Sequence, residues 1–215
     1  MILLNAASAG FWEQLLSTLK QWDTWLFLKI NNDWTTPFLD GIFPVWREML
    51  TWVPLYFFIV FLVFWNFGWK AWPWVVALIA TVALSDQLSS QLLKNWINRP
   101  RPCADDVLKY QVRLLLSRCP ASGSFTSSHA TNHFAVACFI YFTLKPYLGK
   151  WGKLLFVWAA TICYGQMYVG VHYPLDILGG TILGCAIGYW AAIFFNKKIK
   201  LPLLVQTSGT NTAAH

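Results

Sequence analysis

Residues 170–195 read GVHYPLDILGGTILGCAIGYWAAIFF, and the two halves of this stretch decide the fold. The first half, Gly170 to Asp176, is a polar island. The second, Ile177–Phe195, is an unbroken apolar run. A hydrocarbon core of ~30 Å needs roughly 20 helical residues, so the run is long enough to cross it. His172 and Asp176 flank Pro174, and proline suits the first turn of a helix. The island therefore sits at the mouth of a membrane-crossing helix, and its spacing lets the Asp176 carboxylate reach one nitrogen of the His172 ring.

Four more apolar runs lie upstream: Thr51–Phe67, Trp72–Ile97 (polar in its second half), Ala130–Leu144 and Leu154–Tyr168. Residues 11–30 place Phe11, Trp12, Leu15, Leu16, Leu19, Trp22 and Leu26 at helical spacing, with Glu13, Gln14, Lys20, Gln21 and Asp23 between them. Such a helix either lies in the interface or crosses as a tilted span packed on the bundle. Asn31 to Pro44 reads as a turn-rich connector. The predicted fold is an all-α, polytopic membrane helix bundle of five to six transmembrane helices with an N-terminal amphipathic helix. Residues 1–200 form one domain, residues 98–128 its long outer loop, and residues 201–215 a polar, disordered tail. No internal repeat is evident.

Composition agrees. The chain has 215 residues, 57% hydrophobic and 12% charged, against about 25% charged in soluble domains. Many of its 14 tryptophans lie near the ends of apolar runs, as interfacial anchors do. A net charge of +7 on such a chain points to anionic headgroups or an anionic substrate, and no nucleic-acid-binding pattern interrupts the runs. The first ten residues lack a basic region, which predicts no cleaved signal sequence. Cys138, Cys163 and Cys185 fall inside apolar runs and read as small hydrophobes. Cys103 and Cys119 share the polar loop and are either a disulfide or two reduced thiols.

Lys70, then Lys145, Lys150 and Lys153, then Lys197, Lys198 and Lys200 occupy alternate junctions, which makes that side cytoplasmic by the positive-inside rule. The long loop, with Arg99, Arg101, Lys109, Arg113 and Arg118, is then outside, and an anionic ligand accounts for that exception. The same alternation brings three polar islands to the outer face: Lys94 to Pro102, Ser124 to His129, and Gly170 to Asp176.

Each island has chemistry suited to a phosphate. Lys94 offers a point charge and Arg101 a planar fork; read separately, they are snorkelling or headgroup-binding cations. Ser127 and Ser128 precede His129 at a helix start, where unpaired N–H groups and the dipole attract an anion, or where a serine simply caps the helix. His172 with Asp176 is a nucleophile with an orienting carboxylate, or a capping histidine with a first-turn acid. His129 and His133 stand one turn apart without a third ligand, so no metal site is expected. Asp86, Ser90 and Lys94 share one helix face, either to position Lys94 or as polar glue between helices.

Together these islands resemble the type 2 phosphatidic acid phosphatase superfamily, integral membrane lipid phosphatases related to vanadium haloperoxidases. Its first motif, Lys-x6-Arg-Pro, is matched by Lys94, Arg101 and Pro102. Its second, Pro-Ser-Gly-His, reads Thr126-Ser127-Ser128-His129 here. Its third, Ser-Arg-x5-His-x3-Asp, reads Gly165-Gln166-x5-His172-x3-Asp176. The resemblance covers roughly Ser85 to Phe195. It implies metal-independent hydrolysis in two steps with no cofactor. His172 would be the nucleophile, Asp176 its orienting partner and His129 the acid and then base. Lys94, Arg101, Ser127, Ser128 and Gln166 would surround the phosphate.

The resemblance further implies a lipid phosphate or diphosphate substrate at the outer face of a bacterial inner membrane: undecaprenyl diphosphate, lipid A phosphate or phosphatidylglycerophosphate. The alternatives are a lipid-to-lipid phosphotransferase with the same site, a non-catalytic binder of anionic lipid, and a small transporter. Gln166 departs from the family arginine, and loss of that charge predicts a rate lower by on the order of 10²-fold unless another cation replaces it. Arg99, Arg113 and Arg118 are the replacements the loop offers. Oligomeric state is not legible.

Overall fold

All five strong apolar runs are helical in the computed structural model, which describes residues 2–202. The helices are α1 Ile2–Leu28, α2 Pro37–Trp46, α3 Val53–Phe67, α4 Trp72–Asp86, α5 Lys94–Ile97, α6 Ser128–Leu148, α7 Leu154–Tyr168 and α8 Pro174–Lys198. No strand occurs among the described residues. The expected tail falls almost wholly outside them. The two stretches long and apolar enough to cross a membrane by length and composition alone are Met49–Tyr110, which holds α3 to α5, and Pro174–Lys198.

The expected Trp72–Ile97 run is one continuous rod. Between α4 and α5 its turns widen to a π-helix, Gln87–Leu93, a distortion often found at functional sites. Asn98, at φ 44°, closes the rod in the left-handed conformation, which Asn tolerates better than most residues. Gly170, at φ 91°, turns the chain out of α7 into the His172 loop.

α6 and α8 make the most extensive contact in the bundle. Gly180, Gly184 and Gly188 recur every fourth residue on α8 and let it lie against the α6 backbone. A Cβ at Gly180 would meet the Ser127 carbonyl at 2.7 Å, and one at Gly184 or Gly188 would overlap the carbonyls of Thr131 or Ala135. Small residues at this spacing are the usual means of close helix approach in lipid. The contact also sets the active-site register, because the Ser127 N–H donates to the Asp176 carbonyl at 3.1 Å.

The main core lies between α3, α4, α6 and α8, around Trp74, Phe139, Ile140 and Phe195. The Trp74 indole N–H finds Thr143 Oγ1 at 2.8 Å. Outward faces stay apolar: Phe57, Trp65, Val76, Ile79, Ile182 and Phe194 are all exposed, as lipid-facing positions would be.

Among the residues whose side chains are described, α1 meets the bundle near its C-terminal end, through Asp23 and Phe27, while residues 10–22 are exposed. One expectation changes. The turn-rich connector contains a helix, α2. Thr36 accepts from the Leu39 N–H at 3.2 Å and Pro37 fills the first turn. Pro44 lies inside α2 and leaves the Asp40 carbonyl without its usual i→i−4 donor.

Candidate active site

The three islands converge at one end of the bundle. Ser127 caps α6, with its Oγ 3.5 Å from the Ala130 N–H. The N–H groups of Ser128 and His129 carry no partner among the described residues, as expected for the first turn of a helix. The Ser128 hydroxyl is turned away toward the π-helix, 3.1 Å from Ser89 Oγ and 2.8 Å from Ser90 Oγ. Its amide, not its hydroxyl, is what remains for an anion.

That serine cluster continues to Asp86. Asp86 Oδ1 accepts from Ser90 Oγ at 3.1 Å and Asn132 Nδ2 at 3.0 Å. Asp86 thus ties the α4 rod to α6, and its charge also acts on Lys94. Lys94 is buried, 8% exposed.

Arg101 is held before any substrate arrives. Its Nε donates to the Ser122 carbonyl (2.8 Å), Nη1 to the Val171 carbonyl (3.1 Å) and to His172 Nε2 (3.1 Å), and Nη2 to Ser122 Oγ (3.1 Å). A guanidinium has only donors, five of them, so four are engaged and one is left. Burial lowers the Arg101 pKa to about 10. The loop that supplies Ser122 is closed by a disulfide between Cys103 and Cys119, Cα atoms 5.9 Å apart.

The same logic assigns the His172 tautomer. Facing a donor, Nε2 must accept, so the ring proton sits on Nδ1. That nitrogen lies 3.6 Å from Asp176 Oδ2, close enough for electrostatic coupling and too long for a hydrogen bond. Nδ1 has no other partner among the described residues. Burial holds the His172 pKa down at about 4; Asp176 opposes this, and the charges of Arg101 and Lys94 reinforce it. The imidazole is neutral at pH 7 with a lone pair on Nε2, the state of a nucleophile. His129 lies within electrostatic reach of His172, Lys94 and Arg47. His133 turns away: its Nδ1 is 2.7 Å from the His129 carbonyl and its ring packs edge-on against Trp158.

Asp176 is fixed by two hydrogen bonds. Its Oδ2 accepts from the Tyr173 N–H at 2.9 Å and its Oδ1 from Arg99 Nη1 at 2.7 Å. Arg99 Nη2 reaches Asp23 Oδ2 at 2.6 Å, Asp23 Oδ1 accepts from the Leu175 N–H at 2.7 Å, and the Arg99 guanidinium lies 4.0 Å over the Tyr173 ring. Asp23 thus links α1 to the carboxylate behind His172.

Gln166 is fully buried in α7. Its Oε1 accepts from Arg47 Nε at 3.0 Å. Arg47 follows α2 and is 7% exposed. Its only other side-chain partner among the described residues is Glu48, 2.7 Å from Nη1. The loop arginines do not fill this place: Arg99 is bound to two aspartates, Arg113 pairs with Asp40 at 2.7 Å, and Arg118 is exposed. Arg47 and Asp23 were not singled out from sequence as site residues, and Arg99 was named there only as a replacement cation for the phosphate. A Thr36 cap followed by Pro37 was the available sign of the helix that carries Arg47.

Comparison with known proteins decides the family. A sequence model of the PAP2 superfamily matches residues 70–200. The chain belongs to the PAP2 superfamily. It is 31% identical over 196 residues to a lipid A 4'-phosphatase of Bacteroides thetaiotaomicron, covering 90% of this chain and 85% of that one. A phosphatidylglycerophosphatase B of Bacillus subtilis is 32% identical over 138 residues, 61% of this chain and 62% of the other. Among solved structures, Aquifex aeolicus LpxE superposes with a TM-score of 0.55 at 29% identity, covering 77% of this chain and 92% of that one. A PAP2-type phosphatidylglycerolphosphate phosphatase from Bacillus subtilis does so with a TM-score of 0.60 at 25% identity, covering 85% and 88%. Like these relatives, this PAP2 protein is a lipid phosphatase, an enzyme with an all-helical fold.

Proposed function

We propose that this enzyme removes a phosphate from lipid A at the outer face of a bacterial inner membrane, through a phosphohistidine on His172. The observation that carries the reading is the His172 ring itself: buried, neutral, with Nε2 facing the phosphate-suited Arg101 and Nδ1 facing Asp176. The substrate preference rests on the two lipid A 4'-phosphatases, which match 85% and 78% of their own length. Undecaprenyl diphosphate and phosphatidylglycerophosphate are the competing substrates. Five helices cross the bilayer, and the exposed apolar side chains of residues 10–22 rest α1 in the lipid interface.

In this mechanism Nε2 attacks phosphorus and the bond from phosphorus to the lipid oxygen breaks. His129 gives its proton to that oxygen as it leaves. Lys94, the free Arg101 donor and the Ser128 and His129 amides carry the charge that builds on the equatorial oxygens. Asp176 stabilises the ring as it becomes cationic. Water then attacks phosphorus, His129 takes the proton, and the P–N bond breaks to release phosphate and restore His172. Lys94, Arg101, Ser127, Ser128, Gln166, His129, His172 and Asp176 line the proposed site, and this mechanism uses no metal.

The test is phosphate release by detergent-purified protein in the presence of chelator, from lipid A, undecaprenyl diphosphate and phosphatidylglycerophosphate, beside His172→Ala. Release from lipid A that vanishes in the variant supports the proposal. A stronger rate on either other lipid moves the substrate assignment, and activity that survives His172→Ala sinks the mechanism.

A further inference from the structure

We propose that Arg47 clamps the substrate phosphate, replacing from α2 the cation that the family carries at the position of Gln166. The inference rests on the lipid-phosphatase reading above and adds to it a residue outside every family motif.

Three observations meet on Arg47. The first is an unbalanced buried charge. Arg47 is 7% exposed, yet its partners are a neutral amide and Glu48, whose side chain is 53% exposed. Burying a cation without a matching buried anion is costly unless a ligand supplies one. The second is unused donors. Of five guanidinium N–H groups, Nε and one on Nη1 are engaged, which leaves three without a partner among the described residues. Gln166 Nε2 is buried and likewise unpartnered. An oxyanion beside this pair would satisfy both groups. The third is position. The Arg47 guanidinium, held on Gln166 of α7, lies within electrostatic reach of His129 and Arg101.

One arrangement also explains both departures in the third motif. Where the family has Ser-Arg, this chain has Gly165-Gln166. A Cβ at Gly165 would lie 3.1 Å from Phe43 Cδ1 and 3.5 Å from Arg47 Cβ. Glycine there lets α2 press onto α7, and Gln166 then orients the arginine that arrives. The cation moves from one helix to another while the charge at the site is kept.

The test compares wild type, Arg47→Gln, and the swap Arg47→Gln with Gln166→Arg, by phosphate release from lipid A, equilibrium binding of orthovanadate, and melting temperature. Arg47→Gln should lose about 100-fold in kcat/KM, as loss of an oxyanion donor does elsewhere, and bind orthovanadate more weakly. The swap should recover at least about tenfold of that loss, which a purely structural role on α2 would not produce. Arg47→Gln within threefold of wild type in both rate and orthovanadate affinity overturns the inference. So does a loss of rate that the swap fails to recover and that comes with a lowered melting temperature. If wild type releases phosphate from none of the lipids, the lipid-phosphatase reading fails separately, and the orthovanadate comparison still decides Arg47; wild type that binds no orthovanadate overturns it.

Discussion

Removing Arg99 should be costly. It bridges Asp23 and Asp176, two carboxylates with fully buried side chains, at 2.6 and 2.7 Å, and is itself 23% exposed. Arg99→Ala leaves two buried charges without their cation. Breaking a buried ion pair by deleting one partner costs about 3–5 kcal/mol. For a chain of this size each kcal/mol shifts the melting temperature by roughly 2–4 °C, so the expected fall is roughly 6–20 °C. Asp23→Asn, which keeps the acceptor for the Leu175 N–H and leaves Arg99 paired with Asp176, should cost much less, on the order of 1–3 kcal/mol. The assay is thermal unfolding in detergent, followed by intrinsic fluorescence of the tryptophans, with phosphate release measured on the same samples. Activity should fall with Arg99→Ala even below its melting temperature, because Asp176 loses the contact that fixes its Oδ1. An Arg99→Ala protein that melts within 2 °C of wild type would refute the reasoning, since the bridge would then contribute nothing.

Three further outcomes follow from the geometry. Because burial holds His172 near 4, below its ordinary 6.5, the acid limb of kcat/KM due to His172 should fall near pH 4, and folding stability from this group should be complete above pH 6.5 and lost as pH falls toward 4; melting temperature against pH should show that slope in wild type and lose it in His172→Ala. Gly184→Val drives a branched side chain into the Thr131 carbonyl and should destabilise by at least about 1–3 kcal/mol, with a matching loss of activity as the α6 and α8 ends slip; an unchanged melting temperature would contradict the packing. Replacing both Cys103 and Cys119 by Ser opens a loop of 16-residue separation, worth about 3 kcal/mol, and should raise KM by freeing the segment that holds Arg101; reductant should reproduce it on wild type.

The five strong helices and the three islands were legible because polar residues interrupt this chain mainly at the ends of apolar runs. A run of Val, Ile, Leu and Phe in lipid has little choice but to be helical. The disulfide was legible as one of two alternatives, since two cysteines in one polar loop state a possibility and not a distance. What escaped is tertiary. Arg99 and Arg101 stand two residues apart in one basic loop; only the fold turns Arg101 to His172 and Arg99 to the back of Asp176. Ser128 was expected beside the phosphate, but only the fold shows its hydroxyl taken up by Ser89 and Ser90 of the π-helix. Arg47 was hidden twice. Pro44 and Gly41 disguised its helix as a connector, and the room it needs is made by a side chain that Gly165 does not have.

The central claim, that His172 carries the phosphoryl group, is tested most directly by rapid quench of the enzyme with lipid A bearing labelled phosphate. The account predicts a label on the protein during turnover that survives alkali, is lost in acid and is absent from His172→Ala. An active wild type that never acquires label at any quench time, or a label that persists in His172→Ala, would contradict it.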